Sequence, residues 1–474
     1  MIICFVNGGS ILKSVKGMKS EIKEEIKKIF GKELFSDSLI DLISYSYDAS
    51  DHHHRPDCIV WPEDKLQVCH LLSLANIHGF PVIPRGAGTG LAGGAVPVEG
   101  GVVVDTCRMN KILEISIEDR VAVVQPGVVY EDLDRILSRY GYFYPPDPAS
   151  SRVCTIGGNV ATNAGGLRGA KYGVTKHYVL GLEVVLPDGR IVKTGTRCMK
   201  SVSGYDLTSL FIGSEGTLGI ITEITIKISP LPKEFKTLLC FFPTLKDAAQ
   251  AVCDIIHAGI IPSALEILDE NSIALMRQSK GIELPPSEAM LLIETDGFTH
   301  KEAEAQMAKV YNIVLKNRVV SVEKAERGED RERLWDTRKM IGSIGIELGP
   351  DHVSEDVAMP ISLIPEMITK ISEIIKKFEL PFLIFGHAGD GNLHPKIIFH
   401  SKDKVQLKKV RKAVDEIFKV TCKAGGTLTG EHGIGLEKAP YMSYEHDPIS
   451  MEMMRALKRI FDPKNILNPG KMNL

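Results

Sequence analysis

The chain lacks any pair of cysteines spaced to share a metal. Its nine cysteines stand at 4, 58, 69, 107, 154, 198, 240, 253 and 422, and no two are closer than 11 residues. That scatter excludes a C-x-x-C knuckle or an iron–sulfur ligand run, and it reads as reduced, mostly buried thiols in a reducing compartment. Long apolar runs are also missing. The opening Met1-Ile2-Ile3-Cys4-Phe5-Val6 is too short to span a bilayer and makes a poor signal segment, and nothing later approaches the ~18 residues a span needs. Met18, just before the charged helical stretch Lys19–Lys32, reads as the true start, which leaves residues 1–17 with little weight. The expectation is a cytoplasmic protein, at a membrane only peripherally and through a partner. A basic excess is absent too: 57 Lys and Arg face 60 Asp and Glu, for a net charge of −3. The electrostatic footprint of a nucleic-acid binder is therefore missing.

What is present is ordinary globular material, 44% hydrophobic and 25% charged over 474 residues, enough for two or three domains with real cores. An N-terminal helical segment covers 1–49. From 50 to 232 the chain is glycine-rich, with short β-branched strands (Gly101–Asp105, Val121–Gln125, Leu182–Leu186) and turns such as Pro187-Asp188-Gly189. Residues 233–402 begin with strand, helix, strand, strand, helix, strand over Phe235–Phe242, Leu245–Ala258, Ser263–Asp269, Met290–Thr295, His300–Lys316 and Val319–Val322. That order is the ferredoxin-like unit. An amphipathic helix follows, with Ile364, Met367, Ile368, Ile371, Ile374, Ile375 and Phe378 on one face. Residues 403–474 read as a charged helical cap. The fold class expected is α+β.

Three glycine segments carry the first functional signal. Arg85-Gly86-Ala87-Gly88-Thr89-Gly90 follows a short apolar run and presents successive backbone N–H groups without Cβ obstruction, which suits a pyrophosphate. It is G-x-G-x-G, not the Rossmann G-x-G-x-x-G, and alone it equally fits a surface loop. A second cluster begins Thr155-Ile156-Gly157-Gly158-Asn159 and runs through Asn163, Gly165, Gly166, Gly169 and Gly173. It puts six glycines and two asparagines into the seventeen residues 157–173. A series of tight turns would account for it; so would backbone lying flat along an extended ligand. Gly213-Ser214-Glu215-Gly216, with Ile220 and Ile221 beyond, repeats the composition, and three such segments in one domain suit a large cofactor.

A histidine constellation carries the second. Gly386-His387-Ala388-Gly389-Asp390-Gly391-Asn392-Leu393-His394 sets two histidines seven apart across a turn, and Gly430-Glu431-His432-Gly433 follows later. Two imidazoles and a carboxylate make a three-ligand site with an open position, suited to Zn²⁺ or another divalent Lewis acid and also to non-haem iron. Ordinary loop histidines are the bland alternative.

Pro84–Pro97, Pro145–Thr175 and Gly213–Glu223 resemble the FAD-binding domain of vanillyl-alcohol-oxidase (PCMH-type) flavoproteins. The resemblance runs over roughly 40–474 and looks closest to the glycolate oxidase flavin subunit, D-lactate dehydrogenase and D-2-hydroxyglutarate dehydrogenase branch. It implies an FAD domain of two subdomains, a substrate domain and a C-terminal cap that returns to the flavin. The first loop (Arg85, Gly86, Ala87, Gly88, Thr89, Gly90) would hold the pyrophosphate. Asp147, Thr155, Gly158, Asn159, Asn163, Gly165, Gly166, Gly173, Glu215, Ile220, Ile221 and Asn468 would complete the FAD site. Non-covalent FAD is expected, because the first loop has no His or Cys and Cys154 alone does not mark a linkage. By the same resemblance His387, His394 and Glu431 would bind the metal, zinc foremost. His432 would be the general base, and Arg338 in Trp335-Asp336-Thr337-Arg338 would grip the substrate carboxylate; a helix-surface role is its alternative.

The implied reaction is oxidation of a small D-2-hydroxy acid to the 2-oxo acid. Electrons would leave to a separate iron–sulfur subunit or electron-transferring flavoprotein, with dioxygen as the competing acceptor. Departures from the hydroxyglutarate pattern are Gly342 where a threonine follows the arginine, Ser354 for a lysine, and Lys396 for an asparagine. The lost lysine favours lactate or glycolate, while Lys396 keeps a diacid open. A zinc hydrolase, which leaves the glycine segments unexplained, and a non-catalytic flavin-binding subunit are the rivals.

Overall fold

The structure, a computed structural model, describes residues 17–280, 284–339 and 349–474. The N-terminal expectations for 1–16 and the reading of Gly342 lie outside the described residues. Helices Ser20–Phe30 and Lys65–His78 cover a four-stranded sheet of β1 (Phe35–Ser36), β2 (Cys58–Val60), β3 (Val82–Arg85) and β4 (Val102–Asp105), in the order β1-β2-β4-β3. β2, β4 and β3 are parallel and β1 is an antiparallel edge. The continuous apolar character of Cys58-Ile59-Val60 and Val102-Val103-Val104 has a direct cause: a parallel sheet is buried on both faces. Ile59, Ile83 and Val103 pack on the second face against Leu42, Tyr45 and Trp61. The first glycine loop leaves the carboxyl end of β3.

The second subdomain is antiparallel: β5 (Ile112–Ser116), β6 (Val121–Val124), β8 (Val179–Val185), β9 (Ile191–Gly195) and β10 (Ile220–Lys227) run in the order β5-β6-β10-β8-β9. β7 (Tyr142–Phe143) and β11 (Ser229–Pro230) form a separate ribbon. β10 alternates buried and half-buried residues, as expected of a sheet with one covered face. The second glycine cluster is not a row of turns. Thr155 caps a helix over Ile156–Thr162 by accepting the Gly158 N–H at 3.2 Å, and a further helical turn spans Gly169–Tyr172.

The third sheet holds β12 (Glu234–Phe242), β13 (Ala264–Asp269), β14 (Ala289–Gly297), β15 (Ser321–Lys324), β16 (Asp351–Ser354), β17 (Val357–Ala358), β18 (Phe382–His387) and β19 (Asn392–Phe399). Its order is β15-β12-β14-β13-β18-β19-β16, with β17 also on β19. The first four strands, all antiparallel, have the ferredoxin-like arrangement, and helices Leu245–His257 and His300–Lys316 pack on one face as the pattern predicts. Two features go beyond that reading. A helix occupies Glu270–Lys280, and the sheet does not stop at the unit's edge, because β13 bonds onward to β18. Ile364–Lys377 is helical with its isoleucine stripe buried. The opposite face of the sheet is covered by helices Glu270–Lys280 and Gly328–Lys339. Strand alternation places Glu266, His387, Asn392, His394 and Lys396 on that opposite face. The C-terminal part is less helical than its charge pattern suggests: after Lys404–Lys423 an irregular stretch carries Glu431 and His432 before helix Pro448–Phe461.

Candidate active site

A cavity of about 440 Å³ lies where the three glycine segments meet. Arg85, Gly86, Ala87, Gly88, Thr89, Gly90, Thr155, Gly158, Asn159, Gly165, Glu215, Ile220 and Ile221 all line it, together with Glu431 and His432. Bare backbone is required here: a Cβ on Gly86 would lie 2.3 Å from Thr155 Oγ1, and one on Gly165 would lie 2.9 Å from Glu431 Oε2.

Five residues named from the sequence, Asp147, Asn163, Gly166, Gly173 and Asn468, do not line the cavity. Asp147 lies 3.6 Å from the Arg168 guanidinium, and its carbonyl oxygen would be 1.9 Å from a Cβ on Gly166. Asn163 ends the Ile156–Thr162 helix in a left-handed conformation and accepts the Lys176 N–H at 2.9 Å. Gly173 turns the chain at φ 79°, against His177. Asn468 donates to the carbonyls of Gly94 and Glu215 at 2.8 and 2.7 Å, holding two wall segments. Glu215 also reaches across to the C-terminal loop. Its buried carboxylate accepts the N–H groups of Ile434 and Gly435 at 2.7 and 2.8 Å, tying that loop to the cavity.

The histidines converge as their spacing suggests. His387 ends β18 and His394 lies on β19, across a short hairpin, with ring centroids 5.0 Å apart. His387 Nε2 and His394 Nε2 lie 3.3 and 3.4 Å from Glu431 Oε1. One ligand atom from each of the three lies within 4.8 Å of the others. His432 stacks on His394 at 5.3 Å and 13°, with its Nε2 4.0 Å from Glu431 Oε1. Burial works against ionised Glu431, but the imidazoles of His387, His394 and His432 hold its carboxyl below the usual range. Burial also opposes charge on His387, yet Glu266 and Glu431 keep it well above the ordinary imidazole value. His394, desolvated and beside His387, falls well below it. These opposed shifts come from crowding carboxylates and imidazoles into one buried cluster. The buried Nδ1 of His394 has no hydrogen-bond partner among the described residues. The donor set of two imidazoles and one carboxylate fits a divalent ion.

Two buried carboxylates that the sequence pattern does not single out hold this cluster. Glu266 bonds His387 Nδ1 at 2.7 Å and accepts from Arg338 Nε and Nη2 at 3.0 and 2.7 Å. Arg338 is thus a buried, ion-paired residue and not a surface one. The available signal was a lone carboxylate inside the apolar strand Ala264-Leu265-Glu266-Ile267-Leu268. Asp356 accepts the N–H groups of Glu431 and His432, both at 2.8 Å, and the Thr429 hydroxyl at 2.9 Å. It pairs with buried Lys438 and faces His432 Nδ1 at 3.5 Å. No local pattern marks it. Lys396, opposite Ser354 in the sheet register, is 5% exposed and forms no ion pair among the described residues; burial lowers its pKa.

Comparison with known proteins bears on this arrangement. A family model described as FAD linked oxidases, C-terminal domain, matches residues 231–472, and an FAD binding domain model matches 56–195. Glycolate oxidase subunit GlcD of Bacillus subtilis (strain 168) is 45% identical over 454 residues, covering 95% of this chain and 96% of its own. The chain belongs to the FAD-linked oxidase family. It is therefore an FAD-linked oxidoreductase with a PCMH-type FAD-binding domain. D-lactate dehydrogenase of Anaerostipes hadrus is 36% identical, covering 95% of this chain and 97% of its own. A solved structure of p-cresol methylhydroxylase with substrate bound superposes with a TM-score of 0.82 at 17% identity, covering 96% of both chains, and bears on the fold. No helix among the described residues is long and apolar enough to cross a membrane.

Proposed function

We propose that this enzyme oxidises a small D-2-hydroxy acid such as D-lactate, or the achiral 2-hydroxy acid glycolate, to the 2-oxo acid. One observation carries the reading: Glu431 and His432 line the glycine-built cavity, and Glu431 is also the meeting point of His387 and His394. A flavin-type cradle and a metal-type ligand set therefore share one wall. The names of the relatives, glycolate oxidase and D-lactate dehydrogenase, support the substrate class. In this reading 50–232 holds FAD non-covalently, 233–402 supplies the substrate face and 403–474 returns Glu431 and His432 to it.

When bound, FAD would supply the hydride acceptor, and His387, His394 and Glu431 would hold a divalent ion, zinc foremost, that would supply a Lewis acid for the substrate hydroxyl. His432 takes the hydroxyl proton at Nε2 while its Nδ1 faces Asp356. Burial lowers the His432 pKa below the ordinary imidazole value, which favours the neutral ring that can accept a proton. Arg338 lies within the same buried network through Glu266 and offers a guanidinium for the substrate carboxylate. With no cysteine pair and no Rossmann fingerprint, the chain passes its electrons to a separate acceptor, an iron–sulfur subunit or an electron-transferring flavoprotein, in the cytoplasm.

A second substrate reading has its own observation. Lys396 is a buried cation without an ion pair among the described residues, two residues past His394 on the same strand face, and it suits the distal carboxylate of a diacid such as D-2-hydroxyglutarate. Anaerobic incubation with each acid, followed by quantification of the 2-oxo acid formed per enzyme, tests the proposal. One equivalent from glycolate or D-lactate is expected. None from any of the three acids contradicts the proposal, and product from hydroxyglutarate alone selects the diacid.

A further inference from the structure

Glu266 stands in a strand whose six residues, Ala264–Asp269, are all buried, and its side chain is fully inaccessible. A carboxylate in such a place is costly unless its lone pairs are taken, and here both oxygens are engaged. Oε1 meets His387 Nδ1 at 2.7 Å, and Oε2 accepts from Nε and Nη2 of Arg338 at 3.0 and 2.7 Å. The sheet register sets this contact. Glu266 is paired directly with His387 across β13 and β18, and directly opposed residues share one face within side-chain reach.

The bond at Nδ1 has a consequence for the other ring nitrogen. With Nδ1–H donated to Glu266, Nε2 is the nitrogen left to face Glu431, which it does at 3.3 Å. His394 has no such anchor, since its Nδ1 is without a partner among the described residues. One imidazole of the pair is therefore held at both ring nitrogens, while the other has Glu431 beside Nε2 and no partner at Nδ1 among the described residues. The same carboxylate holds one edge of the Arg338 guanidinium, so the orientation of the cation is set by the group that orients the histidine.

We propose that Glu266 is a positioning residue that presents His387 Nε2 to the metal and aligns Arg338 with it in a single buried unit. This rests on the metal reading of His387, His394 and Glu431. A purely structural ion pair would instead matter for folding and leave metal affinity alone.

The test uses FAD-loaded protein stripped with a chelator and titrated with Co²⁺ in competition with a chromophoric chelator, for the parent, Glu266→Gln and Glu266→Asp. The parent takes up one equivalent. Glu266→Gln keeps parental flavin content but binds cobalt roughly 10- to 100-fold more weakly, the usual effect of removing a carboxylate behind a ligating histidine. Its KM for the hydroxy acid rises as Arg338 loses its alignment, and Glu266→Asp lies between the two. Parental cobalt affinity in a flavin-replete Glu266→Gln overturns the proposal alone. A parent that takes up no cobalt overturns the metal reading and this proposal with it. If Glu266→Gln fails to retain flavin, Glu266→Asp decides: weakened cobalt binding supports the role, and parental affinity refutes it.

Discussion

Replacing Asp356 by Asn isolates what its charge does. The side chain is fully buried, with one oxygen accepting Thr429, Glu431 and His432 and the other paired with Lys438. An Asn carbonyl can still accept the first three donors, so the loop keeps its hydrogen bonds. The amide NH₂ then faces the buried Lys438 ammonium, where a donor opposes a cation. Breaking a buried ion pair at one partner costs about 3–5 kcal/mol. Glu355 remains 3.7 Å from Lys438, which points to the lower end, about 3 kcal/mol, a sizeable part of a typical stability of about 5–15 kcal/mol. Denaturant midpoints read by flavin release measure the loss. Adding Lys438→Met to Asp356→Asn should recover part of it, because the uncompensated cation is gone while buried Glu355 loses its partner in turn. A single-variant loss below about 1 kcal/mol, or no recovery in the double variant, would refute the reasoning from a buried charge pair.

Three further outcomes are expected. Acid precipitation should leave all flavin in the supernatant, even though Cys154 lines the cavity, where burial raises its thiol pKa; flavin in the pellet would show a covalent link. Chelation, or Ala at His387, His394 or Glu431, should abolish turnover with the flavin spectrum nearly unchanged; flavin reduction at the parental rate would exclude a catalytic metal. Arg338→Lys should lower kcat/KM more than tenfold, about 1.4 kcal/mol, since a point charge cannot keep two donors on Glu266 and also reach substrate. A smaller loss would leave Arg338 a structural partner of Glu266.

The residues legible in the sequence were those whose role is local. Glycine is conspicuous wherever backbone must approach something closely, so the three segments announced the cavity before any fold was known. Histidines seven apart across a glycine turn likewise foretold a hairpin that brings two imidazoles together. Glu266 and Asp356 were not legible as functional, because their roles depend on partners 72 and 121 residues away for Glu266 and 75, 76 and 82 away for Asp356. Helix Gly328–Lys339 buries few large apolar side chains, Leu334 and Trp335 among them, so no apolar stripe revealed that it covers the site. Asp147, Asn163, Gly166, Gly173 and Asn468 lie outside the cavity lining, a difference from their glycine-segment neighbours that only the three-dimensional path of the chain makes visible.

The most direct measurement is anaerobic flavin reduction. Purified protein is mixed with D-lactate, L-lactate or glycolate, with and without prior chelation, and the visible flavin absorbance is followed. The account predicts rapid bleaching by glycolate or D-lactate, little by L-lactate, and none by any acid after chelation until a divalent ion is restored. Bleaching indifferent to both the hand of the acid and the chelator, or a flavin that no 2-hydroxy acid reduces, would contradict it.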